Sequence, residues 1–184
     1  METQVTRRHF SVHDYHRMAE AGILHEDDRV ELIEGEIVEM AAIGTRHFAC
    51  VNTLNRLLMS AVGDEAIVSV QNPVRLSERS EPQPDLAVIQ ARDYRESLPT
   101  PEDVMLLIEV SDTTLAYDRN TKLPLYARSE IAEVWIVDLT GEAIERHTDP
   151  SGYGYRHVER VSREETLTSV TLSNMAISVD AVLG

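Results

Sequence analysis

Apolar residues spaced three and four positions apart mark two helices in the first third of the chain. The first set is Val12, Tyr15, Met18, Ala19 and Ile23. Ser11 precedes it, and Asp14 three residues later completes a capping-box pattern, so we predict a short helix that ends near Gly22. The second set is Phe48, Val51, Leu54, Leu57, Leu58, Ala61 and Val62. It predicts a longer amphipathic helix from His47 to a stop at Gly63.

Short apolar runs bounded by glycine and proline predict the strands. Glu34-Gly35 divides RVELIEGEIVEM into a hairpin, and Pro73 marks an edge or a bulge in AIVSVQNPVRL. DLAVI follows Pro84, and a polar loop with one helical turn is expected over 90–103. Further strands are VMLLIEV and EVWIVDL, then EAIERHT, YRHVERV and TLTSVTL before a short C-terminal tail.

A helix is predicted from Asp118 to Arg128, between the two most apolar strands. This order of strand, crossover helix and strand is typical of α/β units, while the flanking hairpins are typical of α+β folds. No repeat or linker interrupts the pattern. The sequence therefore predicts one domain over residues 1–184 with a sheet and flanking helices.

One charged residue, Glu109, interrupts the apolar run 104–110. A buried carboxylate needs a partner, a shifted pKa or a metal ion, because burying it alone costs several kcal/mol. One strand follows Pro84 and another contains Glu109. If these two strands are neighbours, Asp85 and Glu109 can face a common point. Two carboxylates suit a hard divalent cation, and Lys122 on the following helix can stabilise developing negative charge.

The overall charge changes this picture, because a formal charge of -15 is unusual for a protein that binds nucleic acid. A carboxylate cluster that binds divalent cations is itself acidic, so the charge does not exclude such a partner. The single cysteine, Cys50, excludes an internal disulfide framework and favours a cytoplasmic protein. We expect neither a signal peptide nor a membrane span.

The chain resembles the Uma2 family, a domain of unknown function in the PD-(D/E)XK nuclease superfamily. The resemblance lies in ordered motifs: Pro84-Asp85, Glu109-Val110-Ser111, Asp118-Arg119-Asn120-Thr121-Lys122, Tyr126 and Val134-Trp135-Ile136-Val137-Asp138. Upstream, Glu31-Leu32-Ile33-Glu34-Gly35-Glu36 and His47 fit the same pattern. The resemblance therefore covers nearly the whole chain.

The resemblance implies a restriction-endonuclease-like core, in which a mixed sheet is flanked by helices. It also implies Mg²⁺ or Mn²⁺ bound by Asp85, Glu109 and the carbonyl of Val110. The superfamily places a lysine two residues after the glutamate, where this chain has Ser111. The implied catalytic lysine is then Lys122. Supporting positions are Glu31, His47, Ser111, Asp118 and Tyr126.

Each of these residues also has an ordinary structural interpretation. Glu109 could pair with a buried arginine, and Asp118 with Lys122 could be a solvated ion pair on a helix. The remaining alternatives are a strand start for Asp85, a helix N-terminus for His47, a solvent-facing strand position for Glu31, and the core for Tyr126, Trp135 and Cys50.

The leading hypothesis is a metal-dependent DNA endonuclease that forms a homodimer. The alternatives are a catalytically silent binding module with the nuclease fold and a metal-dependent hydrolase of another phosphoester. A basic rim around the site would favour nucleic acid, and an acidic rim would favour the binding module. The candidates for that rim are Arg7, Arg8, Arg46, Arg75, Arg119 and Arg128.

Overall fold

The chain folds into a central sheet with helices and a hairpin on its two faces, in a computed structural model that describes residues 6–25, 27–173 and 175–184. The first elements are α1 (Val12–Glu20), β1 (Val30–Ile33), β2 (Glu36–Glu39) and α2 (Thr45–Val62). After a 3₁₀ turn (Gly63–Glu65) come β3 (Ala66–Val70) and β4 (Leu86–Gln90). A second 3₁₀ turn (Pro101–Asp103) leads into β5 (Val104–Ser111).

One continuous helical segment then follows, made of α3 (Leu115–Tyr117), a π-helical turn (Asp118–Lys122) and α4 (Leu123–Arg128). The chain continues through β6 (Glu133–Asp138), β7 (Ala143–Ser151) and β8 (Gly154–Ser162). Its last elements are β9 (Thr166–Thr168), β10 (Ala176–Ser178) and α5 (Val179–Leu183).

The main sheet has six strands in the order β3-β4-β5-β6-β7-β8. All neighbours are antiparallel except β5 and β6, which the helical segment α3–α4 connects in parallel. This pair is the predicted unit of strand, crossover helix and strand. The mixed sheet flanked by helices is therefore confirmed.

The alternation of side chains along β5 assigns Glu109 to one face of the sheet. Leu106, Ile108 and Val110 lie in the larger core beneath α2 and the C-terminal elements. Leu107 faces the other way, into the core formed with α4 and the β1–β2 hairpin. Glu109 continues the row of Leu107, so its carboxylate is directed toward the helix that carries Lys122.

Local chemistry explains the first elements well. The Ser11 hydroxyl accepts a hydrogen bond from the Asp14 amide, and the Asp14 carboxylate accepts one from the Ser11 amide, which forms the predicted capping box. In the β1–β2 turn, Glu34 and Gly35 have φ angles of 50° and 86°, as type I′ hairpins require. A Cβ on Gly35 would lie 2.5 Å from that of His9.

Four predicted boundaries were wrong. The helix expected from Asp118 begins at Leu115, before the apolar pattern starts, because the Thr114 hydroxyl binds Asp118 and fixes an earlier first turn. AIVSVQNPVRL is a strand only over Ala66–Val70, since Gln71 turns with a φ of 52° before Pro73. TLTSVTL is a strand only over Thr166–Thr168, and the expected tail forms β10 and α5. Pairing of β9 with β10 rather than with the main sheet limits their length.

In the part of the chain that the structure describes, no helix combines the length and the apolar character needed to cross a membrane. We expected no signal peptide at the N-terminus. The first five residues of that segment lie outside the described residues.

Candidate active site

Strand register places Asp85 and Glu109 opposite each other. The antiparallel ladder between β4 and β5 pairs Leu86 with Ile108, so the next step beyond its end opposes Asp85 to Glu109. The Asp85 carboxylate extends the ladder in place of backbone, because its Oδ2 accepts a hydrogen bond from the Val110 amide at 2.9 Å. The predicted neighbourhood of the two carboxylates is therefore present.

The partners of Glu109 are a lysine and a tyrosine from the helical segment. Its Oε1 accepts hydrogen bonds from Lys122 Nζ at 3.1 Å and from the Tyr126 hydroxyl. Lys122 also lies 3.2 Å from Glu31 Oε2, so it bridges two carboxylates from two different strands. Lys122 is 5% exposed and Glu31 is 2% exposed, which excludes a solvated helical pair for the lysine and a solvent-facing position for Glu31.

Asp85 is held by three donors. Its Oδ1 contacts His47 Nε2 at 2.9 Å and the Gln71 side-chain amide at 3.2 Å, in addition to the Val110 amide on Oδ2. His47 lies in the first turn of α2 and thereby connects that helix to the site. Because the amide and the carbonyl of one strand residue point to the same side, the Val110 carbonyl faces the Asp85 side of β5.

Ser111, at the position where the superfamily pattern has its lysine, anchors the helical segment instead. Its hydroxyl donates to Asp118 Oδ2 at 2.7 Å, and Thr114 donates to the same oxygen at 2.6 Å. Asp118 is 4% exposed and begins the π-helical turn whose last residue is Lys122. Ser111 thus fixes the start of the turn that supplies the lysine.

These side chains lie in a cleft with a volume of about 480 Å³. Six of its lining residues are acids, of which four are buried, Glu31, Asp85, Glu109 and Asp118, against the single buried cation Lys122. The pKa of Glu109 is raised from 4.5 to about 8, chiefly by burial and also by Asp118, Asp85 and Glu31, whereas Lys122 opposes the shift. The surrounding carboxylates hold the pKa of Lys122 above its ordinary value despite its burial. The cleft therefore has more negative charge than its own cation balances.

Of the other candidates, Tyr126 and Trp135 are core residues as expected, both with no exposed surface, and Tyr126 in addition contacts Glu109. Cys50 is buried among apolar residues of α2 and the sheet, as predicted.

Sequence analysis missed one strong signal and one cleft residue. Lys122 is the only lysine of the chain, and the other 16 of its 17 basic residues are arginines. This composition indicates that position 122 requires an ammonium group rather than a guanidinium. Arg29, directly before β1, lines the cleft and donates to the Ala41 carbonyl at 3.0 Å. Among the described residues no acid lies within ion-pair distance of Arg29. Its place after Asp27-Asp28 in the sequence gave no hint that it lines the cleft.

The basic rim considered from sequence does not form at the cleft. None of Arg7, Arg8, Arg46, Arg75, Arg119 and Arg128 lines it. Four of the six pair with acids outside the cleft lining: Arg7 with Glu36, Arg75 with Glu78, Arg119 with Glu145 and Arg128 with Glu34. Arg46 pairs with Asp112, which does line the cleft. In an acidic chain the arginines have abundant local partners, which the sequence pattern alone does not reveal.

Comparison with known proteins agrees with this geometry. The model of the Uma2 family, described as "Putative restriction endonuclease", matches residues 12–180. The chain belongs to the Uma2 family. A solved structure from Anabaena variabilis ATCC 29413, described as "a putative nuclease belonging to DUF820", shares the fold with a TM-score of 0.69 and 15% identity, over 90% of this chain and 96% of that chain. No curated protein matches the sequence.

The Uma2 domain offers oxygen donors for a hard cation, although few of them. Among the described residues, no three histidine, cysteine, aspartate or glutamate side chains converge on one point to hold a metal ion. Within the same residues, no donor contacts Glu109 Oε2, and Asp85 Oδ2 accepts only the Val110 amide. Mg²⁺ commonly binds through one or two carboxylates and keeps several waters, so this donor set fits Mg²⁺.

Proposed function

We propose that this Uma2 protein is a metal-dependent endonuclease that hydrolyses phosphodiester bonds of DNA. The observation that carries the proposal is the only lysine of the chain, buried between Glu31 and Glu109 beside Asp85 at a cleft. Structural ion pairs are usually exposed and balanced, whereas an excess of buried carboxylates around one ammonium is typical of catalytic sites.

We propose Asp85, Glu109 and the Val110 carbonyl as the ligands of Mg²⁺ or Mn²⁺. The bound cation would supply neutralisation of phosphate charge and acidification of water. The excess negative charge of the cleft and the raised pKa of Glu109 support this assignment, because a dication would relieve both.

The chain's own residues have separable roles in this scheme. Lys122 keeps an ammonium at the point where charge develops on the phosphate, which stabilises that charge. Glu31 holds Lys122 from the side opposite Glu109, and His47 with Gln71 fixes the orientation of Asp85. Arg29 supplies a guanidinium in the cleft that can bind a neighbouring phosphate.

DNA is the proposed substrate, and a homodimer is the proposed assembly. A two-fold dimer would provide one site for each strand of a duplex. We place the activity in the cytoplasm, in keeping with a single buried thiol.

A binding module with the nuclease fold is the second candidate. The observation that favours it is the pairing of Arg7, Arg75 and Arg128 with acids away from the cleft. Such a module would bind a protein or a small phosphorylated ligand without cleaving it.

The test combines calorimetric titration of Mn²⁺ with a plasmid-nicking assay on the wild type, Glu109→Ala and Glu145→Ala. Glu145 is a comparable buried acid that lies on β7 outside the cleft lining. We expect Glu109→Ala to lose Mn²⁺ binding and nicking, and Glu145→Ala to retain both. Mn²⁺ binding without nicking in the wild type would favour the binding module or another phosphoester, and an unaltered Glu109→Ala would disprove the metal assignment.

A further inference from the structure

The helical segment that carries Lys122 is irregular in the turn that ends at this lysine. Residues Asp118–Lys122 form a π-helical turn, and the Leu123 amide donates to the Asp118 carbonyl five residues earlier instead of four. Such turns insert one extra residue into an α-helix and occur frequently at functional sites. A functional role is therefore expected for this turn.

Pro124 provides the physical cause of the turn. It lies in the first turn of α4 and has no amide hydrogen to donate to the Asn120 carbonyl four residues earlier. In a regular α-helix its ring would also clash with that carbonyl. The wider π turn avoids the clash, and α4 then restarts with proline at a position that helices tolerate.

Contacts on both sides of the turn make its register consequential. Before Lys122, Asp118 is fixed by the hydroxyls of Ser111 and Thr114. After Lys122, Tyr126 is fixed by its hydrogen bond to Glu109. Lys122 lies between two anchored positions, so the number of residues per turn decides where its ammonium points.

The extra residue directs Lys122 into the cleft. Tyr117, Asp118 and Lys122 all line the cleft, so the first and last residues of the π turn face the same side as the tyrosine before it. Loss of the extra residue from the turn would rotate one part of the segment against the other by about 100°. That rotation is incompatible with simultaneous contacts of Lys122 to Glu31 and Glu109.

We propose that Pro124 is a positioning residue, which maintains the π turn and thereby sets the Lys122 ammonium between Glu31 and Glu109. The catalytic consequence rests on the proposed nuclease function, but the placement of the ammonium does not. Pro124 itself contacts neither substrate nor metal in this scheme.

The test uses Pro124→Ala, which restores an amide donor and lets the segment form a continuous α-helix. Because the chain has one lysine, ¹⁵N labelling of lysine gives a single Nζ signal whose position and hydrogen-exchange protection report the burial of that ammonium. The matched control is Pro101→Ala, in the 3₁₀ turn at the opposite end of β5, about 25 Å of strand away.

We expect Pro124→Ala to fold but to have a lower melting temperature, because an expelled ammonium leaves Glu31 and Glu109 without their shared cation. Its Nζ signal should move toward that of an exposed lysine and lose its protection, and plasmid nicking should fall about 10²-fold. The control should leave the Nζ signal and nicking unchanged. Exposure of the lysine in a folded protein is what a merely structural proline would not produce.

An unchanged Nζ signal in Pro124→Ala would overturn the proposal, whatever the activity. A lower melting temperature and lost activity with an Nζ signal that stays protected would assign Pro124 to folding and would equally overturn it. If the wild type does not nick DNA, the nuclease function fails, while the Nζ signal still decides whether Pro124 places the lysine.

Discussion

Two buried charge clusters lie on the same sheet and differ in their balance. The cleft cluster consists of Glu31, Asp85, Glu109, Asp118 and Lys122. The arginine cluster consists of Asp138 and Glu145 on β6 and β7, bridged by Arg119 and Arg160 and joined by His147. The first has four acids for one fixed cation, and the second has two acids for two arginines.

The pKa values of the two central glutamates move in opposite directions. Burial, together with the neighbouring acids and against the effect of Lys122, raises the pKa of Glu109 to about 8. The hydrogen bond with His147, followed by the contacts with Arg119 and Arg160, lowers the pKa of Glu145 to about 2. Similar side chains in similar burial thus become either a poised site or a structural ion pair, depending on the number of cations around them.

The largest expected difference between the clusters comes from removal of a cation. Lys122→Met leaves Glu31 and Glu109 without their shared cation, so we expect a loss of about 3–5 kcal/mol in the free energy of unfolding at pH 8 and loss of nicking. Arg160→Met removes a partly exposed arginine while Arg119 remains, so we expect a loss below about 1 kcal/mol. Urea unfolding of both variants measures the comparison.

Acidification should reduce the effect of Lys122→Met, because protonation of the carboxylates removes their need for a cation. Equal losses in the two variants at pH 8 would show that the cleft cluster is balanced in some other way.

A smaller difference is expected from two tyrosine hydroxyls. At pH 9, where Glu109 is ionised, Tyr126→Phe removes a donor to its carboxylate, and hydrogen bonds to charged groups contribute about 1.5–3 kcal/mol. Tyr155→Phe removes a donor to the neutral Ile131 carbonyl, worth about 0.5–1.5 kcal/mol. Thermal unfolding should therefore rank Tyr126→Phe as the more destabilised variant, and the reverse order would contradict the strong partnership with Glu109.

The smallest effect per pH unit is the slope of stability against pH. Between pH 4.5 and 8 the unfolded chain releases the Glu109 proton and the folded chain keeps it, so this group lowers stability as the pH rises. Glu145 does the opposite between pH 4.5 and 2, where its contribution is lost as the pH falls. Each slope is at most about 1.4 kcal/mol per pH unit.

Glu109→Gln should therefore flatten the stability profile above pH 4.5, and Glu145→Gln should flatten it below. Urea unfolding from pH 2 to 9 measures both, and the wild-type profile minus each variant profile isolates the group. A flattening on the same side of pH 4.5 in both variants would remove the distinction between the clusters.

Much of the fold could be predicted because local patterns dictate it. The capping box of α1, the Glu34-Gly35 turn and the apolar spacing of α2 each contain their own structural instruction within a few residues. The β5–helix–β6 unit followed from two apolar runs and the length between them. The π turn escaped prediction, because Pro124 alone allows either a helix end or a wider turn.

The site could be predicted only in part, for a different physical reason. A carboxylate in an apolar strand is conspicuous in any sequence, so Glu109 was identifiable, and the family pattern added Asp85 and Lys122. The partners of that carboxylate could not be read from the strand itself, because Lys122 and Tyr126 reach Glu109 from the following helix. Glu31, which shares Lys122 with Glu109, lies 78 residues before Glu109 in sequence.

The sequence by itself determined the helices and strands of the core, the presence of a costly buried acid and the membership of the Uma2 family, since these depend on residue order and local chemistry. Only the tertiary structure decided which acids share one lysine and which are neutralised by arginines. Charge balance is a property of three-dimensional neighbourhoods: Asp118 and Arg119 are adjacent in the chain, yet one lines the acidic cleft and the other completes the arginine cluster.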